Sequence, residues 1–183
     1  MKRTLLLFAL GASACVSVRA PMAPAERVAT ASGSRVTLPH WFRADFLGAV
    51  EDAQEIMQTP NGAMPCRRFT SKSATSFSEV RVIESPNGFD ASWETMLAEM
   101  ANKASEGKTV ASSNVVHQGH FDGVDMKLIT PPHSPDNASN FTIECRSRVF
   151  LSGTKIVISN HCGDATHPDP ALEASADSLA VLD

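Results

Sequence analysis

The sequence predicts one domain of the α+β class, an antiparallel meandering β-sheet covered by helices. Short apolar or alternating segments are separated by turn signals such as Pro60-Asn61-Gly62, which is typical of hairpins. Two further segments have the apolar spacing of amphipathic helices, one in the middle of the chain and one near its end. About 150 residues follow residue 34, which is enough for one domain with a buried core.

Residues 1–14 have the layout of a secretory signal. Lys2 and Arg3 precede a short apolar run at 4–10, and small residues follow at 11–14. The apolar run is much shorter than the roughly 20 residues that span a bilayer. We therefore expect the chain to be exported.

The segment after the signal predicts a flexible tether over residues 15–34. It is rich in Ala, Pro, Ser and Val and lacks helical or strand periodicity. Fully extended, at about 3.3 Å per residue, it would reach on the order of 60 Å. The single α+β domain is then predicted over residues 35–183.

The end of the signal, Gly11-Ala12-Ser13-Ala14-Cys15, resembles the lipobox of bacterial lipoproteins. In that family the cysteine is acylated and becomes the mature N-terminus. The resemblance implies a lipid on Cys15 that anchors the domain to the outer membrane, in the periplasm or at the cell surface. The alternative is cleavage after Val18-Arg19-Ala20, which would release a soluble secreted protein.

Three segments in the first half predict strands. Residues 35–38 place two apolar side chains on one face and end at Pro39. Residues 53–70 form two strand-compatible arms around the Pro60-Asn61-Gly62 turn. Residues 77–84 alternate in the manner of a half-buried strand.

Two helices are predicted, each with start and stop signals. Asp90 caps the first helix and Gly107 ends it; its apolar face comprises Trp93, Met96, Leu97, Met100, Ala101 and Ala104. Asp169 caps the second helix, with Pro170 at its first position. The apolar face of the second helix comprises Leu172, Ala176 and Leu179.

Residues 114–130 predict a hairpin with Asp122-Gly123 as a type I′ turn. This turn would pair Phe121 with Val124, His120 with Asp125, and His117 with Leu128. His117 and His120 would then point to opposite faces and could not share a metal ion.

Residues 141–162 predict a second hairpin, whose turn is Ser152-Gly153-Thr154-Lys155. Glycine at the first central position suits a type II′ turn, and the resulting register places Cys145 opposite Cys162 at a close, non-hydrogen-bonded pair. In an oxidising compartment we expect a disulfide between them, with Cα atoms about 4.5 to 5.5 Å apart. The predicted core face comprises Phe141, Ile143, Cys145, Val149, Leu151, Ile156, Ile158 and Cys162. Cys66 then has no disulfide partner, and we expect it to be a small buried hydrophobic residue.

The segment 161–169 concentrates metal-ligand side chains: His161, Cys162, Asp164, His167 and Asp169. Each has a simpler role in a disulfide, a turn or a helix cap, so we predict no metal and no other cofactor. A metal-binding protein or metal-dependent enzyme that uses this segment remains the alternative. Nucleophile elbows, zinc-protease motifs and nucleotide-binding loops are missing from the sequence, so we predict no catalytic residues.

The composition excludes some classes of partner. The 16 Lys and Arg are outnumbered by 20 Asp and Glu, and loss of residues 1–14 would remove two of the basic ones. This balance argues against nucleic acid as a partner.

The order of elements resembles the PsbP-like fold. The resemblance rests on the opening Val36-Thr37-Leu38-Pro39-x-Trp41, the mid-chain helix between meandering strands, and the ending Asp177-Ser178-Leu179. It implies an antiparallel sheet sandwiched between helices and a non-catalytic accessory or binding role, with a protein partner or small ligand left open. A cystatin-like α+β fold is the alternative.

Overall fold

The described part of the chain forms two β-sheets, and every strand pair in them is antiparallel. The structure, a computed structural model, describes residues 22–59, 62–85, 95, 98, 99, 101, 102, 105–134, 137 and 139–183. The elements are β1 (Glu26–Ala29), β2 (Gly33–Leu38), β3 (Phe42–Leu47), β4 (Glu51–Thr59), β5 (Gly62–Lys72), β6 (Ser76–Glu84), β7 (Thr109–Gln118), β8 (Phe121–Thr130), β9 (Ile143–Ser152), β10 (Lys155–Asp164), α1 (Pro170–Asp177) and β11 (Ala180–Val181).

The larger sheet has seven strands in the order β4-β5-β6-β10-β9-β8-β7, and the smaller has four in the order β1-β2-β3-β11. Strands account for 61% of the described residues and helix for 10%, so the fold is mostly β. The predicted α+β sheet covered by helices is therefore wrong, in both its PsbP-like and its cystatin-like form.

The physical reason is that a second sheet covers the face expected to hold helices. In β3, Phe42, Ala44 and Phe46 are buried and alternate with polar residues. This alternation is the period of a half-buried strand. These side chains share a core with residues of the larger sheet such as Phe69 and Phe150.

The domain begins before the predicted boundary at residue 35, because part of the predicted tether is strand. β1 pairs with β2 along its whole length, and Met22 and Ala25 pack against the core between the sheets. Arg67, which is only 7% exposed, donates a hydrogen bond from Nη1 to the Ala23 carbonyl at 2.6 Å. A buried guanidinium needs acceptors, and the chain around residue 23 supplies one.

Both faces of the larger sheet carry buried side chains. One face meets the smaller sheet and α1. The opposite face holds a second core cluster of Met64, Cys66, Ile83, Val124, Met126, Leu128, Cys145, Val149, Leu151 and Ile156, against which Ala101 packs. Below, the face that meets the smaller sheet and α1 is called the inner face, and the opposite face is called the outer face.

The hairpin of β9 and β10 has the predicted register. Ser152 pairs with Lys155, and Cys145 lies opposite Cys162. Gly153 has φ of 54°, as the first central residue of a type II′ turn requires. The predicted core face of this hairpin lies on the outer face of the sheet, where four of its eight members are buried and the other four are partly buried.

The predicted turn between β7 and β8 is wrong. Gln118 pairs with Phe121, so the turn is formed by Gly119, with φ of 59°, and His120. Consequently His117 lies opposite Asp122 rather than Leu128, and the predicted pair of His120 with Asp125 is not formed.

Gly123 has a packing role instead of a turn role. A Cβ atom at this position would lie 2.5 Å from the Val149 carbonyl oxygen and 2.7 Å from Cδ1 of Phe150. The absence of a side chain lets Phe150 of β9 lie across β8. The Asp-Gly dipeptide has a strong local preference for a turn, but packing between the sheets overrides it.

The predictions of the two helices have different outcomes. The second is confirmed as α1, with Asp169 as its cap and Leu172 and Ala176 buried. Leu179, which was predicted on its apolar face, lies beyond the end of the helix and is buried in the core between the sheets. For the first, the described residues between 95 and 105 are helical, and Gly107 has φ of 71°. Its predicted cap Asp90 and the apolar positions Trp93, Met96, Leu97, Met100 and Ala104 lie outside the described residues.

Candidate ligand-binding cleft

A cleft of about 350 Å³ opens on the inner face of the larger sheet, between α1 and strands β7 to β10. Its volume lies near the lower end of the range for small-molecule sites, about 300 to 1,000 Å³. The lining residues are Ser112, Asn114, Asp125, Lys127, Glu144, Arg146, His161, Leu172, Glu173, Ala176 and Asp177.

α1 forms one wall of the cleft and is fixed at both ends. Asp169 accepts a hydrogen bond from the Ala171 N–H at 2.9 Å, which satisfies one of the unpaired donors of the first turn. Near the other end, Ser175 Oγ donates to the Asp45 carbonyl at 2.5 Å, and Ser178 Oγ accepts from the Asp45 N–H at 2.7 Å. The helix is thereby held against β3.

Two arginines and two aspartates form an ion-pair network beside the cleft. Asp125 Oδ2 accepts from Arg146 Nη2 at 2.8 Å and from Arg148 Nε at 2.9 Å. Both arginines also donate to Oδ1 of Asp177, and Arg148 donates to the Ala176 carbonyl at 2.7 Å. The network joins β8 and β9 to the last turn of α1.

The electrostatics of this network favour the ionised carboxylate. Burial alone would raise the pKa of Asp125, but hydrogen bonds from Arg146 and Arg148, together with their charges, outweigh it and lower the pKa. The side chain of Arg148 is only 10% exposed, so without Asp125 this buried charge would keep only Asp177 Oδ1 and the Ala176 carbonyl as acceptors.

His161 lies at the bottom of the cleft and is 3% exposed. Its Nδ1 lies 3.1 Å from Ser78 Oγ and 3.3 Å from Ser175 Oγ, whereas Nε2 has no hydrogen-bond partner among the described residues. Burial, and secondarily the charges of Arg148 and Arg146, lower its pKa to about 4. The imidazole is therefore neutral at physiological pH, with one buried nitrogen unsatisfied.

The predicted ligand-rich segment 161–169 does not converge on one point. His161 faces inward on β10, whereas Cys162 faces outward and is bonded to Cys145. Asp164 accepts from Thr166 and contacts His167 Nδ1 at 3.0 Å. Within the part of the chain that the structure describes, no three His, Cys, Asp or Glu residues could hold a metal ion.

Cys145 and Cys162 form a disulfide on the outer face, with Sγ atoms 2.12 Å apart and Cα atoms 4.0 Å apart. The Cα separation is shorter than the 4.5 to 5.5 Å expected for the pair. Cys66 is unpaired and buried, and burial raises the pKa of its thiol to about 11. It is therefore protonated at neutral pH, as expected of a small buried hydrophobic residue.

Sequence reasoning missed the ion-pair network. A turn at residues 122 and 123 assigns Asp125 to an exposed pair with His120, away from the arginines. One signal was present: Arg146 and Arg148 are two residues apart in a predicted strand and so share a face. Buried arginines on one face require nearby carboxylates.

Comparison of the chain with protein-family models and with curated proteins gives no match. Among solved structures it is similar to the crystal structure of PA94 from Pseudomonas aeruginosa, a protein of unknown function. The identity is 8% and the TM-score 0.43, over 68% of this chain and 94% of that one. Within the described residues, no helix is long and apolar enough to cross a membrane.

Proposed function

We propose that the protein is an exported, non-catalytic binding protein, anchored by a lipid on Cys15, whose cleft receives a small polar ligand. The observation that carries the binding role is the cleft itself, which is lined mainly by polar and charged side chains and backed by the buried imidazole of His161.

The geometry favours binding over catalysis. Around His161, the hydroxyls of Ser78 and Ser175 both contact Nδ1, and Ser175 donates its proton to a backbone carbonyl. A hydroxyl nucleophile needs its own proton directed to a general base, and Ser175 directs its proton elsewhere. Ser78 is only 2% exposed, so its hydroxyl is not open to a substrate. The carboxylate of Asp125 is engaged by two arginines.

A ligand screen by NMR tests the binding role. The mature chain, labelled at histidine and arginine side chains, is mixed with a library of small polar compounds. We expect hits that shift the His161 imidazole and the Arg146 guanidinium together. A library that yields no compound shifting His161 would contradict the proposed role.

Mass spectrometry tests the anchor. In a bacterial host we expect a mature N-terminal peptide that begins at a diacylglyceryl-modified Cys15, and a Cys15→Ser variant that is not acylated. An unmodified peptide beginning at Pro21 would show that the protein is released in soluble form.

A further inference from the structure

We infer that the free edge of β7 is an interface at which two copies of this chain pair antiparallel, with Val115 on the two-fold axis. The inference concerns a surface other than the cleft floor and does not depend on the proposed function. Three observations lead to it: the exposure of this edge, its lack of charge, and the symmetry of its regular stretch.

β7 is the last strand of the larger sheet and has β8 as its neighbour on one side only. The side chains from Thr109 to Val115 are all exposed, and Val115 is 66% exposed. Among the described residues, none outside β8 forms a backbone hydrogen bond with this strand. An edge of this kind presents N–H and C=O groups that can pair with another strand.

The other edges of the two sheets are charged or short. β4 contains Glu51, Asp52 and Glu55, β1 has four residues and contains Glu26 and Arg27, and β11 has two residues. In contrast, the ten residues of β7 include no Asp, Glu, Lys, Arg or Pro. Charges and proline are the usual means by which edge strands avoid pairing. A second β7 can therefore lie beside the first without the repulsion that two copies of β4 would meet.

The turn between β7 and β8 determines which backbone groups point to the free edge. Gln118 and Phe121 flank a two-residue turn and form a hydrogen-bonded pair, and such pairs recur at every second residue. The N–H and C=O groups of Ser113, Val115 and His117 therefore point away from β8.

The regular stretch of β7 is symmetric about Val115. A bulge precedes Ser112, and the pairing with β8 is unbroken from Ser112 to Gln118, so Val115 is the middle residue of this stretch. Antiparallel pairing about Val115 places it opposite its counterpart and places Ser113 opposite His117 of the second copy. Because all three have backbone groups that point outward, the pairing forms about six hydrogen bonds, two at each of these pairs.

The pairing also extends one wall of the cleft. Ser112 and Asn114 line the cleft from β7 on the inner face, and they would lie opposite Gln118 and Val116 of the second copy. Residues that lie opposite each other in a sheet share a face. Two clefts would therefore open on the same face of one continuous sheet, one on each side of the two-fold axis.

Analytical ultracentrifugation tests the dimer, with the mature chain carrying Cys15→Ser so that no lipid drives association. We expect a concentration-dependent dimer that Val115→Lys weakens about tenfold, because two like charges replace a pair of valines directly opposite each other. Ile56→Lys, the same kind of change at a 69% exposed position of β4, is the control and should leave the dimer unchanged. Circular dichroism confirms that both variants are folded.

Two outcomes of this experiment would overturn the inference. A chain that stays monomeric at about 1 mM does so, and leaves the edge to a strand of a different protein. A dimer that Val115→Lys and Ile56→Lys affect equally uses another surface and does so as well.

A mixture of variants tests the register. Val115→Glu alone should weaken the dimer as Val115→Lys does, and an equimolar mixture of the two should restore it, because residue 115 faces its own counterpart only at the two-fold axis. A mixture that remains monomeric would overturn the pairing about Val115.

Amide hydrogen exchange of the native sequence, followed by NMR as the protein concentration is raised, provides a test without substitution at the interface. We expect the amides of Ser113, Val115 and His117 to exchange more slowly in the dimer, whereas Asn114 and Val116, which already bond to β8, should keep their rates. Equal changes in the two sets, or no change in either, would overturn the inference.

Discussion

Acidification is expected to destabilise the domain through His161, at a pH well above that at which its carboxylates are protonated. The imidazole has its ordinary pKa of 6.5 when the chain is unfolded, and burial lowers this pKa to about 4 in the folded chain. Between pH 6.5 and pH 4 the imidazole is protonated in the unfolded state and neutral in the folded state. The stabilisation is therefore complete above pH 6.5 and is lost progressively as the pH falls toward 4.

The magnitude follows from the pKa difference. One pKa unit corresponds to about 1.36 kcal/mol, so this histidine alone should lower the free energy of unfolding by about 3 kcal/mol between pH 7 and pH 4. The aspartates with lowered pKa, such as Asp125 and Asp52, lose their contribution only at lower pH, since the ordinary pKa of an aspartate is 3.8. Between pH 6.5 and pH 4.5 the change in the free energy of unfolding therefore reports mainly on the histidines.

The assay is urea denaturation of the native chain and of a His161→Gln variant at half-unit steps of pH. Glutamine does not titrate, so we expect the free energy of unfolding of the variant to fall less steeply through this window. The difference between the two slopes, rather than the stability of the variant itself, is the measured quantity. Parallel slopes would refute the claim that His161 is buried in its neutral form.

Three further predictions concern packing and covalent structure. Gly123→Ala should destabilise the domain by about 1–3 kcal/mol, because the added Cβ would lie 2.5 Å from a carbonyl oxygen of β9. The measured quantity is the denaturation midpoint, which should fall; an unchanged midpoint would contradict this packing. Non-reducing peptide mapping should recover Cys145 and Cys162 in one cross-linked peptide, and Cys66 should resist alkylation until the chain unfolds. A disulfide that involves Cys66 would contradict the register. Asp125→Ala should cost about 1–3 kcal/mol in denaturation experiments, because it leaves the buried Arg148 guanidinium with fewer acceptors. An unchanged denaturation midpoint would show that the network is solvated.

The hairpin of β9 and β10 could be predicted because its local signals agree. Gly153 suits the turn, and the register that follows brings two cysteines together on an apolar face. The hairpin of β7 and β8 offers two glycines, Gly119 and Gly123, and local preference favours the second. The choice depends on Phe150, which belongs to a strand that comes later in the chain.

The smaller sheet and the cleft depend on long-range contacts that a single sequence does not show. β1 is recognisable only through its pairing with β2, because all of its side chains are exposed. The role of His161 depends on Ser78 and Ser175, which are 83 and 14 residues away. Sequence alone places this histidine among metal-ligand types and cannot show that its Nε2 is left unsatisfied.

The hydrogen bond from Arg67 to the Ala23 carbonyl has a consequence for the reach of the protein. If Cys15 carries a lipid, the chain between the anchor and this contact can extend at most about 26 Å, at roughly 3.3 Å per residue. That distance is smaller than the diameter of a domain of this size, which is about 40 Å. The domain would then remain beside the bilayer that holds it, and its cleft would sample solutes and partners close to that surface only.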